Sequence, residues 1–222
     1  MKNHRSIKIA AIVLVAYLVV FGVFAIVRFN QPETENVGME QSTQPATSEN
    51  ALIVYLTRTG NTEAVAQMIN DKIGGTLTEL EVETPYPEGY QEQVDQVASE
   101  NARNYLPSLK TKIENIEQYD TIFLGAPTWG MQLPPPMKSF LDEYNLSGKT
   151  VIPFNTNGGY GIGTSFNDIR DRCNDCTILE GFSVEGGHER EGELFVMVGE
   201  KEIAVRTSVH EWLQGLGLTR TN

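Results

Sequence analysis

Residues 51–70 decide the fold: Ala51-Leu-Ile-Val-Tyr-Leu56 is an unbroken apolar run, Thr57-Arg-Thr-Gly-Asn-Thr62 a hydroxyl-rich turn, and Glu63-Ala-Val-Ala-Gln-Met-Ile-Asn70 the opening of a helical pattern. A short apolar run suits a strand covered on both faces, and Val65, Met68, Ile69 and Ile73 then recur at helical spacing. The turn therefore ends at a helix N-terminus, where unpaired backbone N–H groups and the positive end of the helix dipole converge. Thr57, Thr59, Asn61 and Thr62 add side-chain donors around the same point, and Gly60 is a favoured turn residue. A helix cap needs only one residue of this kind. Three threonines, an asparagine and a glycine within six residues exceed that need and point to a bound phosphate. The Lys-Ser/Thr ending of the Walker pattern is missing, so the phosphate does not belong to a Mg-bound triphosphate.

Outward from this unit, strand-like and helix-like runs alternate. A second strand is expected at Thr76–Val82, a helix at Tyr90–Tyr105 and a third strand at Thr121–Gly125. Pro135 or Pro136 suits the first turn of a helix running to about Tyr144. A fourth strand at Thr150–Asn155, a helix at Thr164–Arg172, a fifth strand at Thr177–Phe182 and a closing helix at Glu202–Leu216 complete the pattern. Such alternation predicts an α/β fold, a doubly wound five-stranded parallel sheet in the order 2-1-3-4-5. Its ligand crevice lies beyond the C-terminal strand ends, at the switch point between strands one and three. The loops expected there are the chemically unusual ones. Besides Thr57–Thr62 they are Ala126-Pro-Thr-Trp-Gly-Met-Gln-Leu-Pro-Pro-Pro136 and Asn155-Thr-Asn-Gly-Gly-Tyr-Gly-Ile-Gly163, whereas the opposite ends carry plain turns such as Gly74-Gly75 and Ser147-Gly148. A phosphate cradle, a Trp on a Pro-stiffened loop and a Gly-rich loop with a Tyr suit a flat, aromatic, phosphorylated ligand.

Taken in order, Thr57-Arg-Thr-Gly-Asn-Thr62, Tyr119-Asp-Thr-Ile-Phe-Leu-Gly-Ala-Pro-Thr-Trp-Gly130 and Ser147-Gly-Lys-Thr-Val-Ile-Pro-Phe-Asn-Thr-Asn-Gly-Gly-Tyr-Gly161 resemble the flavodoxin family, in particular its short-chain bacterial branch. The resemblance runs from about Leu52 to Leu218. It implies non-covalent FMN as cofactor and one- or two-electron transfer as chemistry. Thr57, Arg58, Thr59, Gly60, Asn61 and Thr62 would then hold the FMN phosphate. Ala126, Pro127, Thr128, Trp129 and Gly130 would line one side of the isoalloxazine, with the Gly130 peptide near N5 and able to turn on reduction. Thr156, Asn157, Gly158, Gly159, Tyr160 and Gly161 would meet the pyrimidine edge through backbone groups. Two departures from the branch are Gly130-Met131, where a second aromatic is common, and Tyr160, where a small residue is common. Tyr160 is either a second stacking face or an exposed loop residue. No catalytic side chain and no metal ligand set is assigned.

The N-terminus carries a different signal. Ile9 to Val27 is a run of nineteen apolar or neutral residues, which as a helix reaches roughly 28 Å, close to the hydrocarbon thickness of a bilayer. Lys2, Arg5 and Lys8 precede it, so the positive-inside bias leaves residues 1–8 in the cytoplasm. The expected organisation is a transmembrane anchor at 9–28, a flexible polar linker at 29–50 and an extracytoplasmic FMN-binding domain at 51–222; a cleaved signal peptide is the competing reading. Positions 30–222 hold thirteen basic and twenty-nine acidic residues, a formal charge of −16. Such a field repels nucleic acid and favours basic partners. Cys173-Asn-Asp-Cys176 is open between a local disulfide, inert thiols and a redox pair, and two cysteines alone make an incomplete zinc site. The segment Gly186–Val198 is longer than a plain connection and is read as a hairpin near the crevice, with His188 exposed or touching a substrate.

The leading functional expectation is a membrane-tethered, FMN-binding electron carrier serving a redox partner protein or a small-molecule acceptor. The alternative is an FMN-dependent NAD(P)H:quinone or similar oxidoreductase, for which Gly159-Tyr-Gly-Ile-Gly163 offers no dinucleotide spacing. A docking module that has lost its flavin is a third.

Overall fold

The computed structural model describes residues 50–218. The readings at 1–8, 9–28 and most of 29–50 lie outside these residues. Among the described residues no helix is long and apolar enough to cross a membrane.

β1 (Ala51–Tyr55), α1 (Asn61–Ile73), β2 (Thr76–Glu79), α2 (Tyr90–Ala102), β3 (Thr121–Pro127), α3 (Pro135–Glu143), β4 (Thr150–Asn157), α4 (Ser165–Arg172), β5 (Thr177–Ile178), β6 (Phe182–Glu185) and α5 (Gly199–Gly215) follow one another along the chain. The sheet order is β2-β1-β3-β4-β5, with β6 also paired to β4, and every pairing is parallel. This is the expected 2-1-3-4-5 sheet.

Alternate residues of a strand face opposite sides of a sheet. Ala51, Ile53 and Tyr55 accordingly join Phe123, Ile152 and Phe154 beneath α1 and α5, while Leu52, Val54 and Leu56 join Ile122, Leu124 and Val151 against α3 and α4. Both faces are covered, which is why these strands read as continuous apolar runs. Gly125 pairs with Phe154 across the two central strands, and a Cβ there would stand 2.0 Å from the Phe154 ring. Only glycine fits beneath that ring.

Several element bounds differ from the sequence reading. β2 ends at Glu79 rather than Val82, because β1 ends opposite it at Tyr55 and the chain turns away to bridge Val82 with Leu109. The helix expected to reach Tyr105 stops at Ala102, after which Asn104 takes a left-handed φ of 49°. β3 and β4 extend to Pro127 and Asn157, so Ala126 and Thr156 belong to strand ends rather than to loops.

The fifth strand is broken in two. Leu179 donates to the Val151 carbonyl and Gly186 to the Asn157 carbonyl, so odd-numbered residues of β4 face this edge. Pro153 shares their parity and has no N–H to offer there, and the partner chain leaves the ladder between Ile178 and Phe182. The segment read as a hairpin contains instead a single short turn at Glu189–Glu191, and α5 begins at Gly199 rather than Glu202. Cys173 and Cys176 are joined by a disulfide just past α4, beside the turn at Gly148 and away from the C-terminal strand ends.

Candidate functional site

The turn after β1 enters α1 through Gly60, whose φ of 82° puts it in the left-handed region, and no side chain caps the helix. The first-turn N–H groups are therefore left for another acceptor. The side chains beside them are largely committed. Thr57 Oγ1 accepts from the Gly60 N–H at 3.1 Å. The Asn61 carboxamide donates to the Leu194 carbonyl at 2.6 Å and to Thr59 Oγ1 at 2.8 Å, and accepts from the Val196 N–H at 3.0 Å. Thr62 and Thr156 share a buried hydroxyl contact of 2.8 Å. The Arg58 guanidinium donates to the carbonyls of Pro87 and Glu88 and pairs with Glu189. Thr59 only accepts within this network, so its own O–H stays free to donate outward. The cradle is thus mainly backbone, pinned from behind by Asn61 and from the side by Arg58.

The turn after β3 is built by two consecutive left-handed residues, Gly130 (φ 58°) and Met131 (φ 60°), between the bridged Trp129 and Gln132. This is the geometry of a tight two-residue hairpin turn. Trp129 stands edge-to-face on Tyr86 at 5.0 Å. Tyr86 in turn donates to Glu100 at 2.5 Å, and burial first, then this carboxylate, pushes its phenol pKa upward. Thr128 ties this turn to the next one, donating from its N–H to the Thr156 carbonyl and from its hydroxyl to the Gly161 carbonyl.

The turn after β4 winds around Asn157, whose Oδ1 accepts from both the Gly159 and Gly161 N–H groups at 3.0 Å. Those two N–H groups are spent. Tyr160 projects outward and is 74% exposed.

The three turns open on one crevice of about 710 Å³. Arg58, Thr59, Asn61 and Thr62 line it from the first turn, Pro127 to Gly130 from the second, and Thr156, Asn157, Gly158 and Tyr160 from the third. Thr57, Gly60, Ala126, Gly159 and Gly161 are not among the lining residues; Thr57 and Gly60, like Gly159 and Gly161, shape the turns through the bonds described above. Ala126 in particular is 4% exposed and belongs to the core on the α3 side.

Two further walls complete the crevice: the segment that the sequence already placed near it, and a helix that the sequence reading did not single out. The segment 186–191 forms one, with His188 between Glu185 Oε1 (2.7 Å) and Glu191 Oε2 (3.2 Å). The hydrogen bond that Glu185 accepts leads in raising the imidazole pKa, and the same contact lowers that of Glu185. α2 forms the other, presenting Gln93, Val97 and Asn101 from one face. The sequence signal for α2 is a helical apolar stripe interrupted by carboxamides at Gln93 and Asn101.

A doubly wound parallel sheet whose crevice joins an uncapped helix N-terminus to an aromatic turn defines a protein built for a phosphorylated, ring-bearing ligand. The flavodoxin family model matches residues 50–196, and the chain belongs to that family. It is 27% identical over 120 residues to a flavodoxin of Synechocystis sp., a match covering 52% of this chain and 56% of the cyanobacterial one. The chain thus spans little more than half the length of that relative. It is 27% identical over 147 residues to flavodoxin 2 of Salmonella typhi, covering 64% of this chain and 70% of the other. Among solved structures, a protein of Bacteroides eggerthii assigned as a flavoprotein aligns with TM-score 0.62 and 26% identity, covering 77% of this chain and 99% of its own. A Lactobacillus acidophilus flavoprotein in complex with FMN shares the fold, with TM-score 0.56, 21% identity and coverage of 60% and 92%.

Proposed function

We propose that this protein is an FMN-binding electron carrier tethered to the cytoplasmic membrane by residues 9–28, with its folded domain on the outer side. The observation that carries the cofactor is the uncapped N-terminus of α1 opening into the same crevice as Trp129. Its side chains are tied back by Thr57, Asn61 and Arg58, so the free donors are N–H groups and the Thr59 hydroxyl, a set suited to a phosphate dianion. Family membership and the FMN complex formed by the Lactobacillus protein support the same ligand.

When bound, FMN supplies one- or two-electron transfer. The chain's part is to hold and tune it. Residues 57–62 would hold the phosphate, Trp129 and Tyr160 would offer aromatic faces, and Gly130 would border the ring from the turn after β3. Glu189 and Glu191 line the crevice wall, and their repulsion disfavours negative charge on a reduced ring. The Cys173–Cys176 disulfide supports an oxidising compartment and hence the outward orientation.

The test is the visible spectrum of the protein purified with its membrane. Yellow protein that fluoresces as FMN on denaturation supports the cofactor, and a colourless protein that rejects added FMN sinks it. Stopped-flow mixing with NADH or NADPH then separates carrier from reductase, since bleaching at catalytic rates favours the NAD(P)H:quinone reading. Protease added to intact cells digests residues 51–222 if the domain faces outward, and leaves them whole if it does not.

A further inference from the structure

The face that α2 turns to the crevice has no partner in either core. Tyr90, Gln93, Val94, Val97 and Asn101 share one helical stripe and line the crevice, whereas crossover helices of this fold normally bury such a stripe on the sheet. Val97, although buried, belongs to neither hydrophobic cluster.

Two carboxamides interrupt the stripe. Gln93 is 4% exposed, yet its Nε2 has no hydrogen-bond acceptor among the described residues. A buried donor left in this state is destabilising and calls for an explanation, such as a ligand that is to accept from it. Asn101 stands two turns further on. Its Oδ1 accepts from Lys138 Nζ at 3.0 Å, and because an ammonium only donates, that contact decides which amide atom faces Lys138. Nδ2 is left toward Gly130, 3.5 Å from where a Cβ at that residue would lie. Lys138 also donates to Gln132 Oε1 at 3.0 Å, so one cation orients two amides of the crevice.

We propose that α2 is a fourth wall of the FMN site, with Gln93 and Asn101 donating hydrogen bonds to the bound flavin and Lys138 acting as a positioning residue for Asn101. The proposal rests on the FMN reading. The two carboxamides are separated by about 12 Å along the helix axis, with Val97 between them. That spacing matches a long ligand with polar groups at both ends and an apolar middle. Arg58 binds the chain just ahead of α2 at Pro87 and Glu88, and Asn101 approaches Gly130. Gln93 therefore serves the phosphoribityl half of the cofactor and Asn101 the ring half.

The experiment uses the full chain in detergent, freed of flavin, as wild type, Gln93→Leu, Asn101→Leu and Lys138→Met. Each is titrated with FMN and with lumiflavin, which lacks the phosphoribityl chain, and the flavin-free forms are melted. Gln93→Leu should weaken FMN about tenfold, leave lumiflavin unaffected, and melt no lower than wild type because the orphaned donor is gone. Asn101→Leu should weaken both flavins. The Asn101 side-chain amide signal should shift on FMN binding in wild type and not in Lys138→Met. Unchanged FMN affinity in Gln93→Leu overturns the proposal, as does a lower melting temperature with affinity intact, the mark of a structural role. A wild type that takes up no FMN sinks the flavin reading and this one together, which distinguishes it from failure of the variants alone.

Discussion

Gly60 and His188 illustrate what single residues contribute. Gly60 sits at φ 82° with the Phe195 ring 3.3 Å from where its Cβ would be. Gly60→Ala is expected to lose about 1–2 kcal/mol of stability from the left-handed backbone alone, measured by urea denaturation. His188 is held between Glu185 and Glu191, and its raised pKa has a definite linkage sign. The stabilisation is fully present below the unfolded-state value of about 6.5 and is lost as pH rises through the raised folded value. NMR titration should place the His188 imidazole above the ordinary value, and Glu185→Gln should return it toward that value; an unshifted imidazole in the wild type refutes the pairing. At this scale the sequence exposed the residue types but not their duties. Asn61 read as a phosphate donor because it stands in the turn. Its bonds to Leu194 and Val196, more than 130 residues away, make it the pin for that turn.

At the scale of elements, periodicity was informative wherever a strand or helix is buried by the sheet. α1 follows its apolar spacing, with Val65, Met68, Ile69 and Ile73 all buried. Ile69→Ala is expected to cost about 2–5 kcal/mol, read from chemical denaturation, since Ile69 is fully buried against α5 and the sheet. Boundaries were less legible, because they depend on neighbours. β2 stops where β1 stops, and the edge strand breaks where Pro153 of the adjacent strand has no donor. The break has a measurable consequence. Backbone amides of Glu180 and Gly181 should exchange with solvent faster than those of Leu179 and Gly186, which are bonded to β4. Equal protection across the four would contradict the split ladder. α2 marks the limit of pattern reading: its stripe has the period of a core-facing helix, yet it lines a crevice.

For the molecule as a whole, charge and address are properties of composition. The formal charge of −16 over positions 30–222 and the glutamates of the crevice wall should lower the midpoint potential of bound FMN by Coulomb repulsion. Raising ionic strength screens that field, so the potential should climb between low salt and about 0.5 M. A salt-independent potential would show the charges too distant or too well solvated to act. Both cysteines are spent in one disulfide beside the Gly148 turn, away from the crevice, so alkylation of the native oxidised protein should label no thiol.

The order of apolar runs and the loops between them determined the sheet order and the end at which the crevice lies. These depend on local periodicity and on the handedness of crossovers, both carried by sequence neighbours. The three turns that shape the crevice were legible for the same reason, since each is a contiguous stretch with unusual composition. Only the tertiary structure decided how the crevice is walled. Arg58 clamping Glu189, Asn61 pairing with residues 194–196 and Lys138 orienting Asn101 all join positions far apart in sequence. No local pattern encodes such contacts, because they exist only once the sheet brings its C-terminal edges together.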